Sequence, residues 1–453
     1  MLENLTSLEY LDISFHSFFG DIIVLKNLTS LEYLDLSSNK FSGNISHLKS
    51  LTSLRELRLS KNKIEIPSSL ALLFNISKLQ KLYADNNMIY NAETEMHSLD
   101  TPTFQLRSIT LSCCGDGGSF PQSLNHQHDL EYVDLSNINF KGYQFPNWLL
   151  ENNKKLKELH LANSSLSGHF QLPPTSHRGL LYLDVSNNSL NGNIPNEIGA
   201  KVPSLELLNM SNNFFGGGIP ISIGDNNHFE GGIPVQLCKL NRLRLIDVSN
   251  NNLSGTIPPC LMNSISNDSS HAYYSDYDYN GYIGSFSADV PVEVTMKSIS
   301  YFYRGRVLTY LSGIDLSCNK LTGEIPLQSR TDTLSVAYNN LLGTTPQTTG
   351  QFATFEESSY VGNPFLCGEP LPKNCSTDES SSSMPRNATD EGFLDMKVFC
   401  ASFVGSYIVM PLCIAIVLYI NPYWRQAWFY HVEAATMSYY YFVLDNTLPK
   451  RFR

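Results

Sequence analysis

The run Leu243–Pro258, LRLIDVSNNNLSGTIP, limits what this chain can fold into more than any other stretch. Its spacing is L-x-x-L-x-L-x-x-N-x-L, carried by Leu243, Ile246, Val248, Asn251 and Leu253. Ile246 and Val248 are two residues apart, so on a short strand both point to one side. Leu243 and Leu253 reach the same interior from either flank. One turn cannot bury that apolar edge alone. Stacked turns can, and each buried aliphatic contributes about 1.5–3 kcal/mol. Asn251 falls where the chain leaves the strand, and a side-chain amide there can donate to and accept from backbone that no sheet ladder serves. Within Ser254–Pro258, Gly255 permits unusual φ, while Pro258 biases the residue before it to extended geometry.

The pattern recurs along most of the chain. Counting from the first strand aliphatic, copies are anchored at Leu11, Leu34, Leu57, Leu82, Ile109, Val133, Leu159, Leu183, Leu208 (a better fit than Leu205) and Ile246, with gaps mostly of 23 to 26 residues. Repeats resume at Ile314 and Leu334. Asn39, Asn62, Asn87, Asn188, Asn213, Asn251 and Asn319 hold the ladder position; His16, Cys114, Ile138 and Ser164 replace it elsewhere. Ile138 cannot hydrogen-bond and marks a weaker turn. Two places break phase. After Pro220 the strand half of a repeat is absent, and Ile314 and Leu334 are only 20 residues apart. Half a turn removed leaves a strand without its neighbour's register, and local distortion or looser packing is expected at both.

Composition sets the compartment. A net charge of −11 over 453 residues, with 16% charged residues, argues against nucleic-acid binding. The nine cysteines form no C-x-x-C pair, so zinc is not expected. N-x-S/T sequons begin at Asn4, Asn27, Asn44, Asn75, Asn163, Asn187, Asn209, Asn252, Asn267, Asn374 and Asn387, all before residue 398. So many on one side of an apolar segment point to glycosylation in the secretory pathway. The opening MLENLTSLEYLDIS enters a repeat at once; no signal peptide is visible, and the expectation is that a leader and a capping turn precede it.

The expected organisation is leucine-rich repeats over 1–261, an island insertion over 262–307 rich in Tyr, Asp, Ser and Gly, further repeats over 308–346, a cap over 347–376, an acidic juxtamembrane linker over 377–397, a transmembrane helix over 398–420 and a short cytoplasmic tail over 421–453. Val398–Ile420 carries no charge and, at 1.5 Å per residue, is about 34 Å long against a hydrocarbon thickness of about 30 Å. Tyr419, Tyr423, Trp424 and Trp428 cluster at the following interface. Ala401 with Gly405, and Ser402 with Ser406, are small residues spaced to admit a partner helix. The fold class is therefore an α/β solenoid, a leucine-rich-repeat superhelix with short parallel strands on its concave face, followed by a single membrane helix.

No phosphate-binding glycine loop, nucleophile elbow or H-E-x-x-H run is present in the sequence, and no enzyme activity, cofactor or metal is expected. The strand's variable positions carry more weight. Tyr10, Tyr33, Tyr132 and Tyr182 lie one before the anchor and Glu9, Glu32 and Glu131 two before; stacked about 4.8 Å apart, they would make tyrosine and acidic tracks suited to a basic or extended peptide. Asp12, Asp35, Asp134, Asp184, Asp247 and Asp315, one after it, are expected to bond their neighbours. Tyr273, Tyr274, Tyr277 and Tyr279 are the island's candidates for ligand contact. Cys238 and Cys260, almost one repeat apart, occupy equivalent places on adjacent turns and are expected to pair; Cys367 with Cys375 would close the cap. Cys113, Cys114 and Cys318 have no obvious partners.

These pieces together resemble the plant leucine-rich-repeat receptor-like proteins. The resemblance rests on the LSGTIP and LTGEIP repeats, the island from Met262, YRGRVLTYLSGIDLSCNKLTGEIP after it, the cap GNPFLCGEPLPKNC, the acidic spacer, the single span and the tail INPYWRQAWFYHVE. It implies a single-pass plasma-membrane receptor, repeats outside, that binds an extracellular peptide or elicitor and, lacking a kinase, signals through a membrane-anchored partner receptor kinase in defence or development. The alternatives are a truncated, non-signalling product of a degenerate gene, and an inhibitory protein-binding repeat module.

Overall fold

The computed structural model describes residues 5–70, 73–90, 102–118, 120–216, 231–264, 292–296, 299–303, 312–326, 333–346 and 355–375. They build a leucine-rich-repeat solenoid. Its concave face is one parallel sheet of twelve three-residue strands: Tyr10–Asp12, Tyr33–Asp35, Glu56–Arg58, Lys81–Tyr83, Ser108–Thr110, Tyr132–Asp134, Glu158–His160, Tyr182–Asp184, Leu207–Asn209, Leu245–Asp247, Gly313–Asp315 and Thr333–Ser335. Each pairs with the next in chain order, and anchor lies opposite anchor: Leu34 faces Leu57, and Val133 faces Leu159. The anchors point inward, and from Leu34 to Leu334 they are buried, as the two-residue period of a strand requires; Leu11, on the first rung, is half-buried.

A second set of strands leaves each rung at the side. It forms three small parallel sheets, one from Phe19–Asp21 to Met88–Tyr90, one from Ser167–His169 to Phe214–Phe215, and one from Ser254–Thr256 to Phe365–Cys367. The return path holds short helical turns such as Ile22–Leu25, Ile45–Leu48, Asn147–Asn152 and Val235–Lys239. Between the layers runs one apolar column from Ile22 to Leu366.

Asparagines bind the rungs together. The Asn188 amide nitrogen donates to Leu161 O (2.8 Å) in the preceding turn and to Val185 O (3.0 Å) and Ser186 O (2.9 Å) in its own. Its oxygen accepts from the Ser164 and Leu166 N–H groups at 3.1 and 2.8 Å. Asn39, Asn62, Asn87, Asn213, Asn251 and Asn319 repeat this pattern. So do Asn339 and Asn363, the latter inside the segment expected to be a cap. Cys114 substitutes through its thiol, donating to Ala84 O (3.4 Å), and Ser164 through its hydroxyl, donating to Leu135 O (2.8 Å). Ile138 is buried and apolar; a backbone bridge between Gly115 and Ile138 ties that rung instead.

The residue before each ladder position is left-handed. Ser38, Lys61, Asn86, Cys113, Asn137, Asn163, Asn187, Asn212, Asn250, Cys318 and Tyr338 have φ between 50° and 59°, and Gly362 takes 80°. The turn needs this reversal so that the next side chain, the ladder residue, swings inward. Asparagine tolerates the conformation better than most residues, which accounts for the recurring Asn-Asn pairs.

Register survives both breaks in phase, contrary to the expectation. Leu208 pairs opposite Ile246, and Asn251 donates back to Met210 O at 3.0 Å. Ile314 pairs opposite Leu334, and Asn339 donates to Leu316 O at 3.0 Å. The strand and its asparagine set register, and both are intact on each side of each break. The shortened stretches, 217–230 and 327–332, lie outside the described residues.

The island leaves and rejoins at adjacent rungs, because Leu245–Asp247 pairs directly with Gly313–Asp315. Inside it, Val292–Met296 and Ile299–Tyr303 form an antiparallel hairpin, Val292 opposite Tyr303. Among the described residues no helix is long and apolar enough to cross a membrane. The expected span 398–420, with Ala401 and Gly405, lies outside them.

Two substitutions test these constraints. Asn188→Ala leaves several buried backbone groups without partners and should lower unfolding stability by about 2–3 kcal/mol in denaturant titration. Lys61→Gly removes a side chain from a left-handed position and should raise it by about 1 kcal/mol; a loss there would contradict the assigned backbone.

Candidate recognition surface

The concave strands present two side chains each, one either side of the buried anchor. At the first rungs Tyr10 is 58% exposed, and its ring stacks on that of Tyr33 with centroids 4.4 Å apart and planes 5° from parallel. The Tyr33 hydroxyl donates to Asp35 (3.3 Å). The column then changes chemistry. Glu56 follows Tyr33 and Lys81 follows Glu56, joined by an ion pair of 3.2 Å. Arg58 pairs with Glu56 at 2.6 Å and lies over the Tyr83 ring, 4.7 Å from its centroid. Burial works against the Arg58 charge, but Glu56 outweighs it and holds the guanidinium ionised.

Midway along the sheet, Tyr132, Glu158 and Tyr182 are in-register neighbours. The tyrosines expected as one track are therefore two groups, Tyr10 with Tyr33 and Tyr132 with Tyr182, separated by Glu56, Lys81 and Ser108 and interrupted again by Glu158. Tyr132 lies 5.6 Å from the His160 ring. Tyr182 is buried and donates to Glu206 (3.3 Å), which also binds Arg242 (2.6 Å). Burial, reinforced by Glu206 and Glu158, pushes the Tyr182 phenol up.

The expected acidic track is not an open anionic strip. Glu32 is paired with Arg55 at 3.2 Å and Glu131 with Lys157 at 3.1 Å. Arg55 and Lys157 occupy the same column one turn on, so in-register stacking brings each base beside the acid. That signal was in the sequence, in the alternation of Glu and Arg or Lys two positions before the anchor.

The Asp column is mostly structural. Asp35, Asp134, Asp184, Asp247 and Asp315 each accept the N–H of the Ser two residues on, at 2.8 to 3.0 Å. His160 sits in this column between Asp134 and Asp184 and hydrogen-bonds Glu158 at 3.3 Å. Burial disfavours its charge, but Glu158, Asp134 and Asp184 outweigh that and raise its pKa. Burial pushes Asp134 up to about 6 despite His160. Asp247 and Asp315 are both raised, by burial and, at Asp247, by repulsion from its neighbour.

Cys238 and Cys260 are joined, with Cα atoms 5.7 Å apart, as are Cys367 and Cys375 at 5.2 Å. Cys113, Cys114 and Cys318 are free, and burial pushes the Cys114 thiol up to about 12. Of the sequons, Asn27, Asn75, Asn163, Asn187 and Asn374 are exposed, and Asn44 and Asn252 are half-buried. Asn209 is a correction: it is 3% exposed and its oxygen accepts from Ser211 N and Oγ, so the folded rung has no room for a glycan. Asn4, Asn267, Asn387 and the island tyrosines Tyr273, Tyr274, Tyr277 and Tyr279 lie outside the described residues. Among the described residues no three His, Cys, Asp or Glu side chains gather as a metal site.

Comparison with known proteins agrees with this geometry. Models of leucine-rich repeats match residues 29–72, 179–200, 204–226 and 242–264. The chain is 38% identical over 190 residues to Receptor-like protein 13 of Arabidopsis thaliana, covering 42% of this chain and 16% of that protein. It is 26% identical to Cuscuta receptor 1 of Solanum lycopersicum, over 84% of this chain and 59% of that one. The chain thus spans less than two thirds of these relatives. The crystal structure of a TDR receptor superposes with a TM-score of 0.52 at 21% identity, over 80% of this chain and 52% of that one, a likeness of fold.

The titrations make a prediction. Asp134, Asp247 and Asp315 bind protons more tightly folded than unfolded, so each favours the fold at low pH and loses that contribution as pH rises from about 4. A His160 with a raised pKa acts the same way, stabilising below about 6.5 and ceasing to as pH passes its folded value. The melting temperature should fall by a few degrees from pH 4.5 to 8, and Asp247→Asn should flatten the slope.

Proposed function

We propose that this chain, a plant leucine-rich-repeat ectodomain homologous to receptor-like proteins of Arabidopsis thaliana, serves as a cell-surface receptor-like protein that captures an extracellular peptide or protein and signals through a membrane-anchored receptor kinase. The observation that carries the reading is the uninterrupted twelve-stranded sheet, whose concave face offers the exposed Tyr10–Tyr33 stack beside the Arg58–Tyr83 pair. Rigid aromatic area next to a fixed guanidinium suits an extended peptide, since such side chains lose little entropy on binding. Glu32 and Glu131, being paired, contribute register and charge complementarity at a rim rather than a free anionic site. Tyr132 would contribute to the central part of the same surface, while Tyr182, buried with its hydroxyl on Glu206, would support it from beneath.

In this reading the segment 398–420 anchors the chain in the bilayer, with Ala401 and Gly405 facing the kinase's own span, and the repeats lie outside the cell. The intact ladder across both shortened turns favours a folded, binding-competent array over a degenerate product.

Expression of the tagged full chain in plant cells tests this. Membrane fractions should hold it, a glycosidase should shift its mobility, and isotope labelling on deglycosylation should mark Asn163 and Asn187 but not Asn209. Ala401→Leu with Gly405→Leu should cut co-purification of a receptor kinase several-fold. Recovery in the soluble fraction with no mobility shift would sink the receptor reading.

A further inference from the structure

The chain enters each concave strand along one edge of the solenoid and leaves it along the other, beside the small lateral sheets. On the entry edge, four consecutive rungs gather cations. Arg107 and Lys157 stand two residues before the anchors Ile109 and Leu159, Lys155 stands four before, and Lys154 and Arg178 stand five before Leu159 and Leu183. All five are exposed. Backbone bonds hold their rungs in line: the Glu131 N–H donates to Arg107 O at 2.7 Å and the Lys157 N–H to Glu131 O at 2.8 Å. Gly179 brings Arg178 against the next rung, since a Cβ there would lie 3.0 Å from Lys154 O.

The carboxylates on the same segments are Asp129 and Glu131, and each is already matched, Asp129 by Lys155 at 2.7 Å and Glu131 by Lys157 at 3.1 Å. Glu151, in the helical turn behind, bonds Asn147 at 3.4 Å. Among the described residues Arg107, Lys154 and Arg178 have no carboxylate within ion-pair distance; the Lys154 ammonium donates to Thr175 Oγ1 at 2.8 Å. The bond from Lys155, with the charges of Arg107 and His128 added, holds the Asp129 carboxyl below its usual range, as a locally positive field requires. This ridge stands on a chain whose net charge is −11.

Two further features narrow the partner. Sequons Asn27 and Asn75 lie on the entry edge, seven residues before Leu34 and Leu82, but none follows Asn75 until Asn163. Asn163 and Asn187 lie four residues past their anchors, on the edge where the chain leaves the strand. Glycans on these asparagines therefore flank the ridge and leave it bare. The ridge also has no apolar anchor: among the described residues no large apolar side chain between Met88 and Phe214 is exposed. A protein partner would bury aromatic or aliphatic groups at the centre of its contact. A hydrophilic polyanion needs none.

We propose that the entry edge from Arg107 to Arg178 docks an extracellular polysaccharide that carries carboxylates, laid along the stack. This surface is separate from the concave face assigned to peptide capture and rests on the same extracellular placement. Four rungs at about 4.8 Å each set the cations over about 14 Å, a span that several sugars of a linear polymer cover. Each exposed ion pair is weak and screened by salt, so holding the polymer takes several in succession.

The test measures binding of the purified full chain to immobilised polygalacturonate, with fully methyl-esterified polygalacturonate, heparin and polyglutamate as comparisons. Polygalacturonate should bind saturably and weaken at least tenfold as salt rises from about 0.05 to 0.5 M. The esterified polymer, which keeps the sugars and loses the charge, should not bind. The triple variant Arg107→Gln/Lys154→Gln/Arg178→Gln should weaken polygalacturonate at least tenfold, while Lys40→Gln/Lys63→Gln/Lys320→Gln, which removes as much exposed charge from the lateral strands, should leave it unchanged. All six positions are exposed, so melting temperatures should match the parent and lost binding will not report misfolding. No binding, equal binding of the esterified polymer, or equal loss in both triple variants overturns the proposal. Tighter binding of heparin would assign the edge to sulfated chains instead, and polyglutamate binding as tight as polygalacturonate would assign it to an acidic protein; either overturns it. No kinase and no membrane fraction enters the measurement, so this result and the test of the receptor reading can fail independently.

Discussion

A buried carboxamide at the inner corner of most rungs is the interaction on which the remaining structure depends. It has two donors and an acceptor in a fixed plane, and the geometry of the turn uses all of them. One side chain thus satisfies the backbone of its own rung and of the one before it. The apolar column supplies most of the burial, but burial is non-directional and tolerates slippage. The carboxamides fix where one rung sits on the next. They keep Leu208 opposite Ile246 and Ile314 opposite Leu334 where the intervening chain is of unusual length.

Most of the fold could be read from the sequence because its period is written in aliphatic side chains and asparagines. The anchors from Leu11 to Leu334 are the central strand residues. Three features escaped. The left-handed position before each ladder residue was hidden, because Lys61, Cys113 and Tyr338 occupy it as well as asparagine, and the inward swing of the ladder residue forces the conformation. Asn363 lies in the segment expected as a cap, where the nearby Cys367 and Cys375 are the stronger signal. Survival of register across the short repeats was missed because total repeat length was weighed over the half that carries the hydrogen bonds.

The recognition surface was less legible. Residue types in each column are visible in sequence, but their neighbours one turn away decide their chemistry. Glu32 and Glu131 read as free acids until the following rung places Arg55 and Lys157 beside them. Asn209 reads as a glycan acceptor until its rung closes over it. Tyr182 reads as a surface aromatic, yet it is buried with its hydroxyl on Glu206.

The bridge between Cys238 and Cys260 acquires a mechanical sense from its position. A stack in which every rung touches only its neighbours unravels from its ends, one rung at a time, with little warning to the middle. A covalent link across consecutive turns, just ahead of the excursion at residue 262, interrupts that unzipping. Tension applied at the carboxyl end would pass from Cys260 straight to Cys238 and bypass the chain between them. The strand Leu245–Asp247, enclosed by the bridge, would carry none of the pull and could not be drawn out to full length while the bond holds.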